Sequence, residues 1–210
     1  MHGLIACLRS FNAKERFFLL GQVLGNPRFV PSFDFRRDLG QILGLEIPED
    51  PLSAMDYHID WIYASLTLAA DGQKVQIHSN AEGNIRAQQE DVDYLVAYDS
   101  GDDTHLIFIE AKGVTGWTNK QMDSKVGRLV QIFGNDGTMW AGVIPHLVIM
   151  SPRRPRGLNT NAWPQWIAPE GEVPWLELSV PTGLRAISRC DAHGRRDADG
   201  QHWTVIARRY

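Results

Sequence analysis

Two apolar runs separated by a short polar break dominate the pattern of this chain. Residues 92–98 (VDYLVAY) and 105–111 (HLIFIEA) are rich in β-branched and aromatic side chains, and a Gly-Asp turn lies between them at 100–104. That pattern predicts a hairpin of two strands buried on both faces. Downstream, Met122, Val126, Leu129, Val130 and Phe133 recur at helical intervals after Thr118, and 146–150 (HLVIM) reads as a short buried strand. Strand, helix, strand makes a βαβ unit, so 146–150 is expected parallel to 105–111 with a right-handed crossover. Upstream, Met55, Ile59, Ile62, Leu66 and Ala69 form another helical stripe. Ser53 and Asp56 have capping-box spacing ahead of it, and Ala70-Asp71-Gly72 stops it. Either 74–78 or 85–89 then supplies the first core strand. Two earlier helices are expected: 13–25, capped by Asn12, and one opened by Ser32 over 33–45. Near the end, 183–190 and 202–208 alternate like strands around a polar turn at 191–201, which predicts a hairpin appended to the core sheet.

The 210 residues are read as one domain, with a helical extension at 1–52, a core at 53–152 and a β-rich extension at 153–210. Hydrophobic residues at 43% and charged residues at 22% are ordinary for a globular protein. A net charge of −4 excludes a bulk-basic coat, so any contact with nucleic acid must be local. Cys7 and Cys190 form neither a disulfide framework nor a zinc pattern, which makes a cytoplasmic location the expectation. No apolar run reaches the roughly 18 residues that cross a membrane, and MHGLIACLRS is too short and poorly patterned for a secretory signal. The chain contains no Gly-rich phosphate loop, no G-x-S-x-G and no H-E-x-x-H.

The chemistry gathers at the ends of the central strands. Asp93 stands where the first run begins; Glu110 and Lys112 stand where the second ends. Charges there need a reason, because an unpaired buried charge costs several kcal/mol. Glu110 and Lys112 are two apart and share a strand face, and the hairpin brings Asp93 alongside. Two carboxylates suit a hard cation such as magnesium, which keeps waters and takes few protein ligands. Such a cation stabilises phosphate charge and acidifies a bound water, and a lysine beside it adds a point charge.

Asp93, then IFIEAK at 107–112, then a helix carrying Gln121, resembles the PD-(D/E)XK nuclease superfamily. One departure is plain: no proline precedes Asp93. The resemblance covers roughly the middle half of the chain. It implies an α/β, restriction-endonuclease-like fold with an α-β-β-β-α-β core and a mixed central sheet. It implies metal-dependent phosphodiester hydrolysis, with DNA as the expected partner and Mg²⁺ or Mn²⁺ as cofactor. Asp93 and Glu110 become metal ligands, Asp60 on the preceding helix a third, and Lys112 the catalytic lysine. Gln121 fits either a helix cap with Thr118 or a place at the site, and Lys125 falls on the same flank as a substrate contact. Arg153, Arg154 and Arg156, set between prolines, form the best local patch for phosphate. A homodimer is compatible with double-strand cutting by two sites. The competing expectation is a catalytically inactive module that keeps the fold to bind nucleic acid or protein.

Overall fold

A computed structural model describes residues 3–12, 14–72, 77–87, 90–113 and 115–207 of the chain. The two apolar runs form the centre of a mixed five-stranded sheet. Strand β2 (Asp91–Ser100) and strand β3 (Asp103–Ala111) pair antiparallel, with Tyr94 opposite Ile109 and Ser100 opposite Asp103. Strand β4 (Val143–Ser151) lies parallel to β3, joined to it by helix α5 (Asn119–Phe133). Strand β1 (Leu52–His58) runs antiparallel along the other side of β2. The short β5 (Trp175–Glu177) pairs parallel with β4, giving the order β1-β2-β3-β4-β5.

Both faces of this sheet are covered, which is why its middle strands read as continuous apolar runs. Leu95, Ala97, Leu106 and Phe108 face one side, where they pack with helices α1 (Leu4–Phe11), α4 (Ile59–Ala70) and α5. Val96, Tyr98, Ile107 and Ile109 face the other, under Leu39 of helix α3 (Phe33–Leu43). The α5 stripe of Met122, Val126, Leu129, Ile132 and Phe133 is buried. Each such side chain contributes about 1.5–3 kcal/mol by leaving water. At the end of the sheet away from Glu110, His105 and His146 form a stacked pair, Nδ1 to Nε2 at 3.0 Å, with Tyr98 stacked on His105. Burial, with His105 adding to it, pushes His146 down to about 4, and burial also lowers His105, against the pull of Asp103.

Several expectations are corrected. The stretch expected as one helix from residue 53 divides into β1 and α4. Ser53 and Asp56 are not a capping box. Ser53 is buried in β1 and donates to the Phe29 carbonyl, while Asp56 has φ of 49° and pairs with Arg16 at 2.9 Å. Hydrogen bonding along β2, from Leu52 opposite Ala97 to His58 opposite Asp91, overrides the helical period in this half of the stripe. The first core strand is therefore β1. Over the described parts of 74–78 and 85–89 there is no strand; residues 74–76 and 88–89 lie outside the described residues.

At the N-terminus, helix α1, which the sequence pattern did not predict, packs against α4 and places Leu4 and Leu8 in the main core. Helix α2 (Glu15–Val23) starts after Lys14, and Asn12 ends α1 instead of capping α2. Ser32 caps α3 as its position suggested, accepting from the Phe35 N–H at 3.2 Å. The C-terminal hairpin, β6 (Arg185–Cys190) with β7 (His202–Ala207), forms its own two-stranded sheet rather than extending the core. Residue 208 lies outside the described residues. Trp163 is buried and Trp166 and Trp175 pack against the main core, whereas Trp203 on β7 is 67% exposed. Among the described residues no helix is long and apolar enough to cross a membrane.

Candidate active site at the ends of the central strands

The β2–β3 register carries Asp93 beside Glu110 one step beyond the Tyr94–Ile109 pair. The Asp93 carboxylate Oδ2 accepts the Ala111 N–H at 2.6 Å, which fixes it across the strand end. The Lys112 N–H donates to the Met150 carbonyl at 2.8 Å and prolongs the β3–β4 ladder by a residue. Its ammonium stands 5.7 Å from the centre of the Trp117 ring. Helix α5 begins at a Thr118 cap, whose hydroxyl accepts from the Gln121 N–H at 3.4 Å. One turn beyond Gln121, Lys125 reaches back to the sheet. It donates to Glu110 Oε1 at 2.7 Å and to the carbonyl of Asp91.

These residues line one open cleft of about 700 Å³. Asp93, Glu110, Lys112, Gln121 and Lys125, all read from the sequence as site residues, are together in it. Asp91, which the sequence offers as an alternative ligand beside Asp93, lines it as well, and so do Glu90, Trp117 and Lys120, to which the sequence assigned no place there. Glu110 is only 5% exposed. Burial pushes its carboxyl up to about 7; Lys125 opposes this and nearby Asp93 reinforces it. A carboxylate destabilised by burial and by a second acid is poised to accept a cation.

Asp60 is not part of this cleft. Because α4 starts at Ile59, Asp60 sits in its first turn and faces the loop before β2. Its Oδ1 takes the Arg128 guanidinium at 2.9 Å, and its Oδ2 accepts the N–H groups of Arg86 at 3.0 Å and Ala87 at 2.7 Å. The third metal ligand implied by the resemblance is thus committed elsewhere. Among the described residues no group of three or more His, Cys, Asp or Glu is arranged for a metal. The hard-oxygen donors at hand are the carboxylates of Asp93 and Glu110, a pair that suits an ion retaining several waters.

The arginine loop divides. Arg153 and Arg156 line a second pocket of about 380 Å³ that shares Lys112 and Trp117 with the cleft. Arg154 turns away and pairs with Glu172 at 3.0 Å. No protein-family model matches the chain, and no curated protein or solved structure matches it.

The Glu110 shift carries a pH dependence that is checkable without activity. A carboxyl held near 7 in the fold, against an ordinary 4.5, binds its proton more tightly in the folded state. Its contribution to stability is fully present below 4.5 and is lost as the pH rises through about 7. Metal-free protein unfolded by urea at pH 5 and at pH 8 is expected to show this loss, on the order of 3 kcal/mol, relative to Glu110→Gln. An equal difference between the two proteins at both pH values would refute it.

Proposed function

We propose that this protein is a metal-dependent nuclease that hydrolyses phosphodiester bonds, with DNA as its substrate, on a restriction-endonuclease-like core. One observation carries the reading: Asp93 and Glu110 lie together at adjacent strand ends in an open cleft, with Lys112 and Lys125 beside them. The run β2-β3-α5-β4 matches the strand–strand–helix–strand part of that core pattern, while α4 between β1 and β2 departs from it.

Asp93 and Glu110 would hold Mg²⁺ or Mn²⁺. When bound, the ion supplies a Lewis acid for the phosphate and lowers the pKa of a coordinated water. Lys112 extends past the end of β3, where its ammonium would orient the attacking water and offset charge building on the phosphate. Gln121 and Lys125, a turn apart on α5, line the wall along which the strand would lie. Lys125 also holds Glu110 in place until a cation competes for that oxygen.

The same Lys125–Glu110 contact favours a second reading, in which the acid is satisfied by the lysine and the cleft binds nucleic acid without cutting it. Supercoiled plasmid and single-stranded DNA, incubated with Mg²⁺, Mn²⁺ or EDTA, separate the two. Cutting with either metal and none in EDTA is the expected result. Metal-independent binding with intact DNA in every condition would move the assignment to the binding module.

A further inference from the structure

The pocket beside the cleft differs from it in charge. The cleft wall mixes four acids with three lysines, whereas the pocket wall holds Lys112, Arg153 and Arg156 and no acid. Among the described residues neither Arg153 nor Arg156 has an ion-pair or hydrogen-bond partner for its side chain, while Arg154 between them is neutralised by Glu172. Uncompensated guanidinium groups in a concave wall are suited to an anion, and their planar forks match phosphate oxygens.

The wall is also held in shape. The Asn119 side chain at the start of α5 grips the loop twice, donating to the Gly157 carbonyl at 3.2 Å and accepting from the Asn159 N–H at 2.9 Å. Ser151 donates to the Arg153 carbonyl at 2.8 Å, and Pro152 and Pro155 stiffen the turn. A loop braced at both ends loses little freedom when a ligand arrives. Trp117 stands between the two cavities and lines both, its indole N–H donating to Ser151 Oγ at 3.4 Å. A strand leaving the cleft toward the arginines must therefore cross an aromatic side chain held in place. The pocket, about 380 Å³, lies at the lower end of the size range of small-ligand sites.

We propose that this pocket is a subsite for an unpaired nucleotide next to the scissile phosphate, its phosphate on Arg153 and Arg156 and its base against Trp117. The assignment rests on the reading of the cleft given above and adds the form of the substrate. A base within a duplex is stacked on both faces and presents none to Trp117. The site therefore selects single strands, frayed ends or flaps over continuous duplex.

Binding of a dye-labelled tetrathymidylate to the full chain in EDTA, followed by fluorescence anisotropy, tests this without any cleavage. Wild type is expected to bind it at least tenfold more tightly than it binds a blunt-ended duplex long enough to stay fully paired. Arg153→Ala/Arg156→Ala should weaken binding by about 10–100-fold and flatten its salt dependence. Trp117→Ala should weaken it by about tenfold, while Trp117→Phe, which keeps a stacking face without the Ser151 hydrogen bond, should bind nearly as wild type. Arg154→Ala should leave binding unchanged. Wild-type affinity in the double arginine variant, an equal loss in Arg154→Ala, or equal affinity for duplex would each overturn the subsite. DNA cutting by a double arginine variant of undiminished affinity would leave the nuclease reading standing alone. Arginine-dependent binding with no cutting in any metal would leave the subsite and remove the nuclease.

Discussion

Glu110→Gln and Lys112→Ala are each expected to lower metal-dependent cleavage by about 10³-fold or more, in proteins that still fold and still bind DNA. Glutamine keeps the size of Glu110 and a hydrogen-bond acceptor for Lys125, so the strand end should not rearrange. It removes the negative charge on which cation binding depends. Lys112 is anchored through its own N–H to the Met150 carbonyl, which alanine retains, so that substitution takes away the ammonium and little else. Rates measured under single-turnover conditions with saturating Mg²⁺ check both. A decisive contrast is Lys125→Met, which releases Glu110 from its ion pair. If the pair were purely structural, Lys125→Met would destabilise the fold about as much as Glu110→Ala, and none of these changes would alter cutting. Cleavage by Glu110→Gln at the wild-type rate would remove the carboxylate from the site.

How much of this was legible beforehand depended on where local pattern and tertiary pairing agreed. At β2, β3, α5 and β4 they agreed. Each element carries its own period, each is closed by turn or cap chemistry, and the βαβ connection leaves one parallel arrangement. That is why Asp93, Glu110, Lys112, Gln121 and Lys125 were found together. They failed to agree at 52–70. Met55, Ile59, Ile62 and Leu66 obey one helical period, yet residues 52–58 gain more from the hydrogen-bonding edge of β2, and Asp56 adopts a left-handed backbone within β1. No local signal marks an edge that only a distant strand supplies. The misplaced start of the helix then misplaced Asp60. Strand β5 was missed because three residues carry no period, and the separation of the β6–β7 hairpin from the core leaves no mark on its alternation. The contact of Lys125 with Glu110 had one weak trace: Lys125 lies four residues after Gln121, on the side of α5 that turns to the strand ends.

The fate of Asp60 leads to the second large effect. Arg128 is buried, with its side chain 1% exposed, and its charge is met chiefly by Asp60. Its remaining contacts are the Asn84 carbonyl at 2.8 Å, Gln131 Oε1 at 3.1 Å and Glu90 at 3.6 Å. Burial pulls its pKa down, Arg86 adding to the effect and Asp60 and Glu90 opposing it. Asp60→Ala takes away the nearest countercharge and also the acceptor for the Arg86 and Ala87 N–H groups, so helix α4, helix α5 and the loop before β2 lose their common tie. Breaking one side of a buried pair costs about 3–5 kcal/mol. For a chain of this size that is a large share of the usual stability, and a fall in Tm on the order of 10 °C. Arg128→Met alone should cost less, because Asp60 keeps its two backbone donors. The double variant Asp60→Ala/Arg128→Met should be more stable than Asp60→Ala, since no unpaired guanidinium remains buried. Urea unfolding of the four proteins closes the cycle. If Asp60 were a metal ligand instead, Asp60→Asn would leave stability near that of wild type and raise the Mg²⁺ concentration needed for cutting. The geometry points the other way, to a less stable protein with an unchanged metal requirement.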